Sequence, residues 1–311
     1  MLKTGTIALT GATGFVGAAV ARRLTATGRE IRALVRPASI HKRPSELSAK
    51  WIEGDLHDVE SLGRLVEGAD AVIHCAGAVR GATRAQFDRV NVDGVSRMVQ
   101  AAIHQKPAPR FLLISSLAAR EPKLSYYAAS KRLGEAVLAE QSGRLPWTIY
   151  RPCAVYGPGD REMMPVLHWM AKGIAPVLGD GSGRFSLIHV NDLAEAVVQW
   201  LDCDCCRSAT YELHDGHPGG YSWQEVIDTI KQLRTKYIVR IKVPPALVGL
   251  VAAANLLLAR IFGYAPMLTP GKVRELYHAD WICDNTALQA AVGWSPRIRL
   301  TEGIAEILRK E

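Results

Sequence analysis

Tyr127 and Lys131 stand four residues apart within residues 125–141, a stretch rich in the helix formers Ala, Leu, Glu and Lys. On a helix beginning at Ser125 that spacing puts both side chains on one face, where they can meet. A phenol titrates near ~10, too high for a base at neutral pH, but a fixed ammonium beside it favours the phenolate and lowers that value. A phenol so tuned can exchange a proton with an alcohol or carbonyl while a nicotinamide exchanges hydride. Alone, Tyr-x3-Lys reads better as a surface pair, so its neighbours decide. Ser115-Ser116 end an apolar run, Arg110-Phe-Leu-Leu-Ile114, which places hydroxyls at the carboxyl edge of a strand. Ligands bind at that edge in open α/β sheets, and neutral donors there can hold a substrate oxygen as its charge changes.

The elements that must position these groups begin at the N-terminus. Thr10-Gly11-Ala12-Thr13-Gly14-Phe15-Val16-Gly17 follows an apolar run, Thr6-Ile7-Ala8-Leu9, and opens an Ala-rich segment over residues 18–27. A strand passing through a glycine turn into a helix start is how α/β proteins hold a pyrophosphate, on free N–H groups at the positive end of the helix. A plain turn is the alternative. Strands are expected at residues 6–9, 31–35, 50–53, 71–74, 110–115 and 147–150, alternating with helices. That alternation predicts an α/β fold, a doubly wound parallel sheet of the Rossmann type with a smaller C-terminal α/β substrate lobe. Residues 1–155 are expected to form the dinucleotide-binding domain, with residues 185–215 returning to it, and residues 156–311 mainly the substrate lobe. Further expectations are a helix over 163–172, one strand over 185–189, Asn191-Asp192 capping a helix over 193–201, and a capping box at Ser222-Trp-Gln-Glu225.

The 311 residues are enough for a substantial core, and a hydrophobic fraction of 48% is that of an ordinary globular protein. Net charge is +8, but the basic residues are scattered and no recognition motif accompanies them, which argues against nucleic-acid binding. A mildly positive field helps attract an anionic dinucleotide. Met1-Leu2-Lys3 leads directly into the first strand without a visible signal peptide, so a reducing cytoplasm is the expected compartment. Cys75 and Cys153 sit in apolar strand contexts and read as buried thiols. Cys203-Asp-Cys205-Cys206, with His214 and His217 downstream, lacks zinc-ligand spacing and reads as a loop, so no metal is expected.

With these motifs in order, the chain closely resembles the extended branch of the short-chain dehydrogenase/reductase superfamily, the NAD-dependent epimerase/dehydratase group, over nearly its whole length. Gly11, Gly14 and Gly17 match its glycine pattern, Asp55-Leu56 the pair that touches adenine, and His74-Cys75-Ala76-Gly77 its fourth-strand motif. Val90-Asn91-Val92-Asp93-Gly94 matches the following helix, and Arg151-Pro152-Cys153-Ala154-Val155-Tyr156-Gly157-Pro158-Gly159 the crossing into the substrate domain. Ser116, Tyr127 and Lys131 fall on the catalytic triad, although Leu117-Ala118-Ala119-Arg120-Glu121 replaces the branch's usual Ser-x-x-Val-Tyr-Gly tail. The resemblance implies cofactor contacts from Gly11, Thr13, Gly14, Phe15, Val16, Gly17, Arg36, Asp55, Leu56, Cys75, Ala76, Gly77, Tyr127, Lys131 and Pro152. It implies substrate contacts from Val79, Phe185 and Tyr277. A homodimer is usual in the group.

Cofactor choice is read at the end of the second strand. A carboxylate there holds the ribose hydroxyls of NAD, whereas an arginine accommodates the 2′-phosphate of NADP. Arg36-Pro37 stands there, with no carboxylate before Glu46, which favours NADP(H) over NAD(H); Arg36 stacking on adenine would allow either.

The branch contains nucleotide-sugar epimerases and dehydratases as well as reductases of ketones, steroids and flavonoids. Nucleotide-sugar members clamp a diphosphate with arginines, for which a planar fork is suited. In the corresponding stretch, Gly179-Asp-Gly-Ser-Gly-Arg-Phe185, the arginine register holds Phe185, and Arg184 would point to the other face of a strand. At the second position, in Tyr277-His-Ala-Asp280, tyrosine replaces arginine. This favours an apolar carbonyl or alcohol substrate, as in 3β-hydroxysteroid dehydrogenase and dihydroflavonol reductase relatives. Arg161, Arg184 or Arg274 could still supply a clamp from elsewhere. The expected activity is an NAD(P)-dependent oxidoreductase. The alternatives are an epimerase or dehydratase using the same triad and a non-catalytic dinucleotide-binding subunit. Finally, residues 243–259 carry no charge, start at Pro244-Pro245 and include Asn255. A core or dimer helix is the expectation, with peripheral membrane contact through 243–262 the alternative.

Overall fold

In the computed structural model of this protein, residues 5–179, 181–203, 208–234 and 237–309 are described. The first half alternates strand and helix: β1 (Thr6–Thr10), α1 (Phe15–Thr25), β2 (Glu30–Val35), β3 (Lys50–Glu53), α2 (Val59–Val66), β4 (Ala71–His74), α3 (Arg84–Asn91), α4 (Asp93–Ile103), β5 (Arg110–Ile114), α5 (Tyr126–Gln141) and β6 (Trp147–Pro152). After β7 (Ala154–Tyr156), α6 (Met164–Ala171), β8 (Ile174–Leu178), β9 (Arg184–Phe185), β10 (Leu187–His189) and α7 (Val190–Asp202), the chain adds β11 (Ala209–Leu213). These strands build a seven-stranded sheet in the order β11-β6-β5-β4-β1-β2-β3, parallel throughout.

Both faces of the sheet are covered, which is why its strands are apolar in runs rather than alternately polar. Ile7, Leu9, Ile73 and Leu112 face α1 and α7 in one core, which includes Val20, Leu24, Val197 and Trp200. The intervening Ala8, Val72, Phe111 and Leu113 face α2, α4 and α5, meeting Leu62, Leu65, Met98 and Leu138. Strand order reverses between β1 and β4, and the cleft outside the carboxyl ends of the strands at such a switch point is where ligands bind.

The remainder is α8 (Trp223–Arg234), β12 (Val239–Val243), α9 (Pro245–Phe262), α10 (Pro270–Leu276), β13 (Asp280–Trp281), α11 (Thr286–Val292) and α12 (Leu300–Arg309). A third core joins Leu167, Met170, Val177, Ile227, Ile230 and Ile304. Parallel two-stranded pairs, β7 with β10, β8 with β12 and β9 with β13, complete this lobe. Ser222 and Glu225 form the reciprocal capping box, the Glu225 N–H donating to Ser222 Oγ at 3.2 Å and the Ser222 N–H to Glu225 Oε2 at 2.7 Å.

Three expectations are corrected. The strand over 185–189 is two strands, because Ser186 separates β9 from β10 and they pair with different partners. The cap of α7 is His189, whose Nδ1 accepts from the Asn191 N–H, while Asp192 is buried and accepts from the backbone N–H groups of Arg297 and Ile298. The uncharged run is not a core helix: in α9 only Ala252 and Ala259 are buried.

Candidate active site

The turn after β1 is shaped by close approach. Gly11 takes φ +75°, and a Cβ there would lie 2.7 Å from the Ala76 nitrogen. A Cβ on Gly17 would lie 2.1 Å from the Gly11 carbonyl oxygen, so any larger residue would push α1 away from the strand. Gly14 is the N-cap of α1 and places no side chain over the first turn. Thr13, Phe15 and Val16 are half-buried around it. An uncapped helix N-terminus with bare backbone above it fits the pyrophosphate of a dinucleotide. Phe15 reaches the crossing segment as well, close to Gly159.

The edges of this cleft come from the next strands. Arg36 is exposed at the end of β2, 3.5 Å from Ser39 Oγ. After β3, Asp55 accepts from the His57 N–H at 2.6 Å, and buried Leu56 packs under α4 at Gly94. After β4, Thr10 Oγ1 pairs with buried His74 Nδ1 at 3.0 Å and accepts from the Ala76 N–H at 3.2 Å, fixing the Cys75-Ala76-Gly77 segment. Cys75 is half-buried rather than buried, and desolvation pushes its thiol up to about 12. Asn91 clamps the same loop, accepting from the Ala78 N–H at 2.8 Å and donating to Ala78 O at 3.0 Å. Pro152 is buried at the end of β6.

Helix α5 starts where Ser125 caps it, Oγ accepting from the Ala128 N–H at 2.9 Å. Tyr127 and Lys131 therefore share the face turned to the end of β5. The two serines there have different duties. Ser115 Oγ donates to Glu135 Oε1 at 2.5 Å, and Glu135 is held by Arg151, so Ser115 belongs to a structural network. Ser116 lies within hydrogen-bonding reach of the Tyr127 hydroxyl and also caps a short 3₁₀ turn, Leu117–Arg120. Arg120 ties that turn to the carbonyls of Ile282 and Asp280. This is how the departure from the usual tail is accommodated.

Lys131 is buried, and its Nζ donates to the Ile114 carbonyl at 2.8 Å. It also faces the loop after β4, where a Cβ on Gly77 would be 3.8 Å from Nζ. Desolvation lowers its pKa to about 8, with Glu135 and then Cys75 opposing. The expected acidic phenol is not what results. Burial pushes Tyr127 up to about 12; the hydrogen bond with Ser116 lowers it, and Glu275 adds to the rise. Loss of water outweighs the lowering by Ser116, so the phenol is protonated at neutral pH, as an ordinary tyrosine is.

Tyr127 opens into a pocket of about 220 Å³ whose lining includes Val79, Ala82, Phe87, Leu256, Met267 and Glu275. Phe87 and Tyr127 rings are tilted at 6.2 Å between centroids, which fixes the phenol laterally. Buried Glu275 accepts from the Ser125 hydroxyl and from Lys272 Nζ, and that ammonium lies 5.9 Å from the centre of the Tyr127 ring. Arg260 and Arg274 also reach the lining, Arg274 donating to Leu124 O.

A nicotinamide-dinucleotide cleft, a Tyr-Lys pair at its floor and a pocket above the phenol stand together, and residues 7–204 match the NAD-dependent epimerase/dehydratase family. The chain belongs to that family. It is an NAD(P)-dependent enzyme of the extended short-chain type. Among relatives of this family member, the ceramide reductase of Caulobacter vibrioides is 38% identical over 284 residues, covering 89% of this chain and 86% of the relative. The 2-alkyl-3-oxoalkanoate reductase of Stenotrophomonas maltophilia is 27% identical over 241 residues, covering 68% and 71%. The solved structure of MoeE5 in complex with UDP-glucuronic acid and NAD shares the fold, with a TM-score of 0.75, 22% identity and coverage of 99% and 100%.

Two further residues expected to contact substrate, Phe185 and Tyr277, have other partners in the fold. Phe185 packs on Trp223, with 5.0 Å between ring centroids, and Tyr277 donates to Val243 O at 2.8 Å; neither lines the pocket over Tyr127. Arg184 donates to Glu225 at 2.7 Å and to Gly220 O. His217 stacks on Tyr221 at 4.1 Å and pairs with Glu225, while Cys205 and Cys206 lie outside the described residues. Among the described residues no group of three metal-ligating side chains forms. Lys272 and Glu275 escaped the sequence reading, and Ser125 entered it only as a helix start, since Ser125 and Glu275 are 150 positions apart and no local pattern joins them.

Proposed function

We propose that this protein is an NADPH-preferring reductase of a ketone on a lipid-like substrate, with Tyr127, Ser116 and Lys131 as the working residues. The observation that carries the reading is a phenol beside Ser116 at the floor of a pocket with an apolar side, Val79, Phe87, Leu256 and Met267, facing a charged one, Arg260, Lys272, Arg274 and Glu275. A reductase needs an acid there. A nicotinamide dinucleotide supplies hydride to the carbonyl carbon when bound in the cleft. The Tyr127 hydroxyl gives its proton to the carbonyl oxygen, giving a secondary alcohol, and solvent restores that proton. Ser116 donates to the same oxygen, holding it as its charge grows. Lys131, fixed on Ile114 O, keeps a positive charge beside the cleft and holds the nicotinamide ribose.

The names of two relatives, a ceramide reductase and a 2-alkyl-3-oxoalkanoate reductase, support an oxo group on a long-chain amphiphile. Arg36 and the absence of a carboxylate before Glu46 support the 2′-phosphate of NADP. The test is product analysis with a long-chain ketolipid and NADPH. One alcohol formed for each NADPH consumed is the expected result. Isomerisation of a nucleotide sugar with no net consumption would instead establish an epimerase.

A further inference from the structure

Helix α9 has 18 residues, a mean hydropathy of 1.9 and only 11% of its residues buried. Its buried face meets the protein through Ala252 and Ala259, and Asn255 is turned to its own loop, donating to Leu268 O and accepting from Tyr264. The opposite half of its circumference is wholly apolar: Leu250, Leu257 and Phe262 are 70, 59 and 72% exposed. So large an apolar face marks an interaction surface. The charge around it is one-sided. Residues 237–274 contain no Asp or Glu, while Arg240 and Lys242 on β12, the strand that leads into α9, and Arg260 in the last turn of α9 are exposed. The same helix turns Leu256 and Arg260 into the pocket that holds Tyr127.

We propose that α9 docks this protein on an anionic lipid bilayer, its apolar half inserted among the acyl chains and its basic rim on the headgroups, so that the pocket takes its ketolipid from the membrane. A helix lying in the interface sinks roughly 5–10 Å, enough for one helix face, and basic residues nearby add attraction to anionic lipid. A second copy of the chain fits less well. A two-fold contact sets each patch against itself, bringing the basic rim onto an identical rim with no carboxylate from residues 237–274 between. The lipid-delivery half of the proposal rests on the ketolipid reading above; the docking half stands without it.

Flotation of the full chain with NADPH tests docking, using phosphatidylcholine vesicles with and without phosphatidylglycerol. The wild type floats with the anionic vesicles, and the double variant Leu250→Glu/Leu257→Glu loses partition by roughly tenfold or more, because carboxylates resist burial among acyl chains. Both proteins reduce a water-soluble short-chain ketone equally. On a ketolipid embedded in vesicles the variant is slow, and delivery of that lipid in detergent micelles restores it. Failure of the wild type to float, or equal flotation of the variant, overturns docking. So does a wild-type dimer that the substitution converts to monomers without any flotation. Flotation with no reduction of either ketone keeps docking and removes the reductase reading instead.

Discussion

The ammonium of Lys131 donates to the carbonyl of Ile114 at 2.8 Å, tying the middle of α5 to the last residue of β5. The bond holds a buried charge at the sheet's carboxyl edge, facing the loop after β4. Lys131→Met removes the buried positive charge proposed to stand beside the nicotinamide ribose, and kcat/KM for ketone reduction is expected to fall by roughly tenfold or more. Folding stability gives an independent check. The amine titrates at about 8 in the fold against 10.5 when free. Between those values the unfolded chain keeps a proton that the fold has released, so wild-type stability gains from rising pH across that window. The gain is on the order of 3 kcal/mol, and the Met variant lacks it. Parallel urea midpoints for the two proteins from pH 8 to 10.5 would contradict this placement.

Buried His74 has the opposite pH window. Its pKa falls from 6.5 to about 3, because burial, and then Lys131, disfavours the imidazolium. Below 6.5 the unfolded chain binds a proton that the fold refuses, so stability drops as pH falls toward about 3. The slope is roughly 1.4 kcal/mol per pH unit while only the unfolded form is charged. His74→Asn removes that slope and sacrifices the Thr10 contact at neutral pH. Denaturation of both proteins across the acid range reads the difference; equal acid lability would show that other groups dominate.

Arg36 is exposed, so its replacement tests cofactor choice without disturbing the core. Titration is expected to show NADPH bound more tightly than NADH by the wild type. Arg36→Asp reverses the order, because the carboxylate repels the 2′-phosphate and accepts from ribose hydroxyls. Similar affinities of the wild type for the two dinucleotides would remove the preference.

Much of this protein was legible in its sequence because the information is local. Residues 50–53 and 71–74 are strands as expected, and the Ser222-x-x-Glu225 box caps α8, since each depends on neighbours a few positions away. The proximity of Tyr127 and Lys131 to the end of β5 followed from helix spacing and strand polarity. The titration of Tyr127 did not, because desolvation depends on everything packed around the phenol, including Glu275 from α10. The exposure of α9 was not legible for a related reason: an apolar run states what the residues avoid, and only tertiary structure shows whether this chain covers them. Phe185 packs its ring on Trp223 and Tyr277 donates its hydroxyl to Val243 O, partners that no local pattern announces.

The central claim is that the Tyr127 hydroxyl supplies the proton to a lipid ketone, and Tyr127→Phe deletes that atom while leaving the ring against Phe87. The direct measurement is NADPH oxidation with a long-chain ketolipid in micelles, alongside NADPH binding, for the wild type and this variant. Loss of a positioned acid lowers kcat roughly 10²–10⁴-fold, with dinucleotide affinity nearly unchanged. A variant that still forms the alcohol at close to the wild-type rate would contradict the account.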